Sequence, residues 1–421
     1  MEEPTPDRPR PRSPFAFLRP AAGLAVAYAL ATLIWVAAGD VLPGGRWLAV
    51  HLFTLGVLSN LITALTHHFA ETVLHAPSDG RQGWRILLLN VGTAGVVVGL
   101  PTEQPMLLAA GAVLSTAAVA WLYVALRRMR RKALTARFTF VVRAYERAAG
   151  AFTHGALLGA LLGIGVLGGA WHGAVRLAHL HINILGWGGI VLLATVVFFG
   201  PTVMRTKIVE GADATAARWI GIGATGLTVG ALLLLATGAG APVATAARVA
   251  AGVALAVYAL AVTKVGLPVL QAGRRARPSP QGRFLLAAVG WFVVAAWADA
   301  AAVATGTMAL LDPIGLLLLA AVLGQAIVGS VAYLTPMIWG GGPKGRTEVR
   351  NRLERLPLAR PLAYNLGLVA VLGAALSGPA AGVGGAVAIR SGWSLIVAAV
   401  LVQLALSVSG ILRARAVAET A

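Results

Sequence analysis

Apolar residues recur along this chain in runs of about 20, divided by short loops rich in arginine and lysine. A helix of that length rises far enough to cross the hydrocarbon of a bilayer. Read against that length, the pattern predicts twelve spans. They lie roughly at 17–38, 46–70, 84–100, 105–126, 146–168, 174–200, 217–238, 245–270, 284–306, 313–338, 361–379 and 391–412. The expected fold is an all-α polytopic membrane protein, one transmembrane domain over residues 1–421.

Composition supports this reading. The 421 residues are 58% hydrophobic and only 12% charged, with a mean hydropathy of +0.80. A soluble protein of this size could not hide so much apolar surface. The first run is long, follows a leader with Arg8, Arg10, Arg12 and Arg19, and lacks a signal-cleavage pattern. Cysteine is absent, which excludes disulfides and thiolate ligands. A bound metal must therefore use histidine, carboxylate, methionine or backbone oxygen, a donor set suited to haem iron, copper or zinc.

The formal charge of +19 reads as an orientation signal. With the N-terminus inside, 30 of the 34 Lys and Arg residues fall on the inner side. Arg46, Arg176, Arg248 and Arg390 remain outside. That bias places both termini in the cytoplasm of a bacterial inner-membrane protein, with membrane lipid as the partner of its basic loops. Those loops carry few aromatics, which argues against nucleic acid. The loop at 339–360 contains RTEVRNRLERL, expected to form a short amphipathic helix on the inner face.

An internal repeat follows. HLFTLG in span two and HINILG in span six place His51 and Gly56 opposite His181 and Gly186, 130 residues apart. The ends of spans six and ten align through Pro201 and Pro336. Spans two, six and ten thus hold equivalent places in three blocks of four, about 1–140, 141–275 and 276–421.

Three blocks of four spans, with histidine near the outer end of a block's second span, resemble haem–copper oxidase subunit I and the NnrS-like membrane proteins. HLFTLGVLSNLITALTHHFAE, HLHINILGWGGIVLLATVVFFGPTVMRT and VAYLTPMIWGGGP look like segments of an actinobacterial family of this type. The resemblance implies haem b and/or copper, redox or small-gas chemistry (nitric oxide or oxygen), and a cupredoxin or cytochrome electron partner. His51 matches the place of a low-spin haem ligand, and His179 or His181 that of a copper ligand. The oxidases also carry histidine pairs in spans seven and ten; this chain has none there, so the full oxidase ligand set is missing.

The eight histidines form two layers. His51, His179 and His181 belong to the outer third, with His172 in an outer loop. Of the outer three, the repeat favours His51 and His181 as joint cofactor ligands; hydrogen-bonded interfacial histidines are the plainer reading. His67, His68, His75 and His154 approach the inner surface. His68 and Glu71 share a helix face, and His67 and Glu71 are four apart, so His67, His68, Glu71 and His154 make a candidate second metal site. The alternative is a polar cluster in which Glu71 pairs with histidine and with Arg81 or Arg85. Asp299, a carboxylate in span nine, reads as a supporting, proton-carrying or ion-paired group. No residue is assigned a catalytic role. Two functions follow: a redox-cofactor protein, or a transporter or channel for metal ions or protons on the same fold.

Overall fold

The computed structural model describes residues 15, 18–77, 79–276, 278–378 and 382–419, with no strand among them. The leader arginines Arg8, Arg10 and Arg12, and position 17 of the first expected span, lie outside the described residues.

Twelve long helical rods run through the described residues. They are α1 (Leu18–Ala38), α2 (Gly45–Leu74), α3 (Gln82–Gly99), α4 (Pro105–Arg131), α5 (Thr139–Gly163) and α6 (Gly169–Phe198). Then come α7 (Ala212–Ala236), α8 (Ala241–Arg275), α9 (Pro280–Thr305), α10 (Met308–Trp339), α11 (Ala359–Ser377) and α12 (Gly382–Glu419). Ten are long and apolar enough to cross a membrane; α3 and α5 are not among the ten. Polar groups lower the hydropathy of these two: Gln82, Arg85 and Asn90 in α3, and Arg143, Glu146 and Arg147 in α5.

Burial sorts the rods by depth. In α2 and α6, 67% and 78% of the apolar window is enclosed, against 17% in α1 and 22% in α12. The core therefore sits around α2 and α6, while α1 and α12 turn apolar faces outward, as lipid-facing helices do. The short helix Pro343–Leu353 is the expected amphipathic segment. It packs Val349 and Leu353 against Ala414 of α12. Beyond its end, Arg360 donates to the carbonyls of Leu353 and Arg355 at 2.6 and 2.7 Å, closing the turn into α11.

Three rods share one irregularity. α2, α6 and α10 each loosen into a π-helix, at Leu52–Leu58, Ile182–Gly189 and Leu317–Gly324. Such wide turns are rare and gather at functional sites. They also displace carbonyls from α-helical pairing, and side chains meet several of them. Tyr258 donates to Leu185 O and Tyr364 to Ala320 O, at 2.8 and 2.9 Å. Ser59 Oγ donates to Thr54 O at 2.8 Å.

Candidate functional site

The histidines occupy two levels of the bundle. One lies at the start of α2 and of the α6 π-turn. The other lies toward the arginine-rich end, where α4 finishes at Arg131 and α8 at Arg275.

At the first level, three imidazoles are anchored in the same way. His51 Nδ1 meets Trp47 O at 2.9 Å, His181 Nδ1 meets Leu177 O at 2.8 Å, and His179 Nδ1 meets Gly155 O of α5 at 2.8 Å. A carbonyl only accepts, so each Nδ1 carries the proton. The Asn183 amide also approaches His179 Nδ1, but at the longer 3.2 Å, and its firmer bond is to His179 O at 2.9 Å. This anchoring leaves the Nε2 lone pairs of His51 and His179 available. It is the arrangement in which metal-ligating imidazoles are usually held.

His51 has a second imidazole, that of His179, as a neighbour. Their centres are 6.5 Å apart and their planes differ by 17°. Two imidazoles bound head-on to one ion place their ring centres about 6 Å apart, from two metal–nitrogen bonds of about 2 Å plus the ring dimensions. Trp47 stacks on His51 at 3.9 Å and fixes its plane. The place for His179 is made by Gly159, where a Cβ would come within 2.6 Å of the ring. The glycine-rich stretch of α5 is thus a packing seam for the side chains of α6.

His181 turns elsewhere. Its Nε2 lies 3.2 Å from Asp299 Oδ1, both residues being buried. Since Nδ1 already donates to Leu177 O, a bond between Nε2 and the carboxylate needs one proton held between them. The other oxygen, Asp299 Oδ2, is buried with no hydrogen-bond partner.

The second level is an ion network joining α2 to α3. Arg85 is fully buried and donates to His67 Nδ1 at 3.0 Å and to Asp79 Oδ2 at 2.7 Å. A guanidinium cannot accept, so the His67 proton sits on Nε2, which faces Glu71 Oε1 at 3.4 Å. Both ring nitrogens of His67 therefore have protein partners. Partial burial works to raise the Asp79 carboxyl, but the hydrogen bonds from Arg85 and the Arg81 backbone, with the Arg85 charge, hold it below its ordinary range. Arg85 also lies over the Trp121 ring at 5.7 Å.

Of the other histidines, His68 lies within electrostatic reach of Glu71 and His67. His68 is half-buried and meets Phe15 edge-on at 5.0 Å. His75 ends α2 in the left-handed conformation, with φ of 50°. His154 is exposed on α5, its Nδ1 at 2.7 Å from Gly150 O, and His172 is exposed. Among the described residues, no three His, Asp or Glu side chains gather closely enough to hold a metal ion. The sequence did not point to Asp79 or Trp47. Trp47 had a usable signal, four residues before His51 on one helix face; Asp79 lies in a loop, where periodicity says nothing.

Three tryptophans of the rods are engaged in hydrogen bonds. Trp187 donates to Ser59, Trp291 to Asn365 and Trp297 to Thr263. The chain matches no protein-family model and no curated protein.

Proposed function

We propose that this is a twelve-span membrane protein of three four-helix repeats that holds one transition metal, as copper or as haem iron, between His51 and His179. The observation carrying the metal reading is the neighbouring pair of Nδ1-anchored imidazoles, near-parallel and 6.5 Å apart at their centres, on two of the three π-containing rods. Neutral imidazole suits both metals, and a bound metal would supply one-electron or small-gas chemistry. His181, two residues from His179 on α6, would hold a proton together with Asp299 of α9. At the second level, the Arg85–His67–Glu71 chain supports an ion-paired polar cluster in place of a metal site.

Several relations support the repeat. The three π stretches begin 130 and then 135 residues apart, at 52, 182 and 317. His51 and His181 immediately precede two of them with the same carbonyl anchor; Leu316 stands in the third place. Leu185 and Ala320, the carbonyls that receive tyrosine hydroxyls, are also 135 apart. Reciprocal amide pairs join second to third rod in two blocks, Asn60 with Asn90 and Gln325 with Asn365. Under this reading α3 and α5 also span, and both termini are cytoplasmic.

The test is an absorption spectrum with metal analysis of the purified chain. One metal per chain is expected, lost in His51→Ala and His179→Ala and kept in His172→Ala. A colourless, metal-free protein after reconstitution with copper and with haem would sink the reading. It would favour the second one, a proton-coupled transporter, for which the buried Asp299 with its unbonded oxygen is the supporting feature.

A further inference from the structure

Between α2, α6 and α10 lies a half-open apolar cavity of about 80 Å³. Its wall is built from matched positions of the three rods. Leu58, Gly188 and Leu323 form one ring, and Leu61, Val191 and Ala326 the next. Both rings keep the 130 and 135 spacing of the π stretches. No charged residue and no histidine lines the space.

Two features keep it open and dry. Gly188 contributes no side chain; a Cβ there would come within 2.9 Å of Leu323 and 3.4 Å of Leu58. The wall hydroxyls belong to Thr66, Thr195 and Ser330. Thr66 donates to Ile62 O at 2.7 Å, and Thr195 is paired with Tyr145 at 2.9 Å. A buried water needs two to four polar partners, and this wall does not gather them. An apolar cavity of about 150 Å³ stays dry and takes benzene or xenon. Roughly half that volume is too small for a benzene ring or a length of acyl chain, and right for one atom or a diatomic molecule.

The cavity is not sealed. A smaller void shares the walls Leu61, Leu65 and Val331 and lies beneath Leu18 and Ala21 at the start of α1, the least enclosed rod. Apolar solutes concentrate in the bilayer, so the supply side is the lipid rather than water.

We propose that this axial cavity is a binding site for one small apolar gas molecule drawn from the membrane. The inference rests on the cavity alone and stands whether or not a metal is held at His51 and His179.

Xenon is the probe, applied under pressure to crystals of the full chain, with Ala326→Leu and Gly188→Ala as filled variants. The expected result is a single xenon at the centre of the α2, α6 and α10 triangle, with at least tenfold lower occupancy in Ala326→Leu. Gly188→Ala adds one methyl group and should reduce occupancy even if the larger variant fails to fold. The proposal is overturned by an empty centre under xenon, by ordered water or an acyl chain there, or by occupancy unchanged in a folded variant.

Discussion

His181 and Asp299, 118 residues apart in sequence, share one proton across a 3.2 Å contact inside the bundle. The Leu177 carbonyl fixes the other imidazole proton on Nδ1, so the bond to the carboxylate cannot form without a second. Removing either partner leaves the other buried and uncompensated. Asp299→Leu should cost roughly 3 kcal/mol, the usual penalty for breaking a buried pair from one side. Asp299→Asn should cost less, because its amide can donate to a neutral Nε2. Unfolding in detergent with the corresponding His181→Gln double-mutant cycle measures this. Additive effects would show that the two residues are not coupled.

Gly159 offers a way to move His179 without replacing it. Its substitution by Leu drives a side chain into the space of the imidazole, 2.6 Å from Cε1 at the Cβ alone. Metal content should fall at least tenfold. Reconstituted protein that keeps full stoichiometry would place the metal elsewhere.

Two tyrosines should contribute comparably to stability. Tyr258→Phe and Tyr364→Phe each strip the hydroxyl from a displaced π-helix carbonyl, at Leu185 and Ala320. Each should destabilise by about 1–3 kcal/mol, the range for leaving a buried polar group unpaired. Chemical unfolding of the two variants checks the figure, and values near zero would mean that these carbonyls find other partners.

Acid should release Arg85. The Asp79 carboxyl is held below its ordinary value of 3.8, so its pairing with Arg85 contributes stability above that pH. The contribution is lost as pH falls through the depressed folded value. Wild type should therefore exceed Asp79→Asn in stability at neutral pH, and the gap should close only below pH 3.8. Melting curves of both proteins across that range test it; a gap that persists at the lowest pH would assign the effect to packing.

Orientation is checked by reporter fusions after Arg131 and after residue 421. Both should report the cytoplasm, because the basic loops otherwise lie on the wrong side. A periplasmic signal from either would reverse the assignment.

What the sequence determined by itself was whatever accumulates locally along the chain. Hydropathy adds over a window of neighbours, so the long helices stood out, and so did the amphipathic helix near residue 350. The matching of HLFTLG to HINILG was visible for the same reason. Which side chains face one another is a matter of rotation about each helix axis, and that only the tertiary structure decided. His179 and His181 are two residues apart and diverge on the helix; packing against α5 and α9 sends the first toward His51 and the second to Asp299. The π-turns that follow add residues to the turn and shift the phase of everything after them, which no regular helical period anticipates. Asp79 reached His67 only through Arg85 of the next helix, and the axial cavity needed three rods at once. Contacts between distant segments depend on how helices settle against each other, and a linear reading carries the composition of those faces but not their meeting.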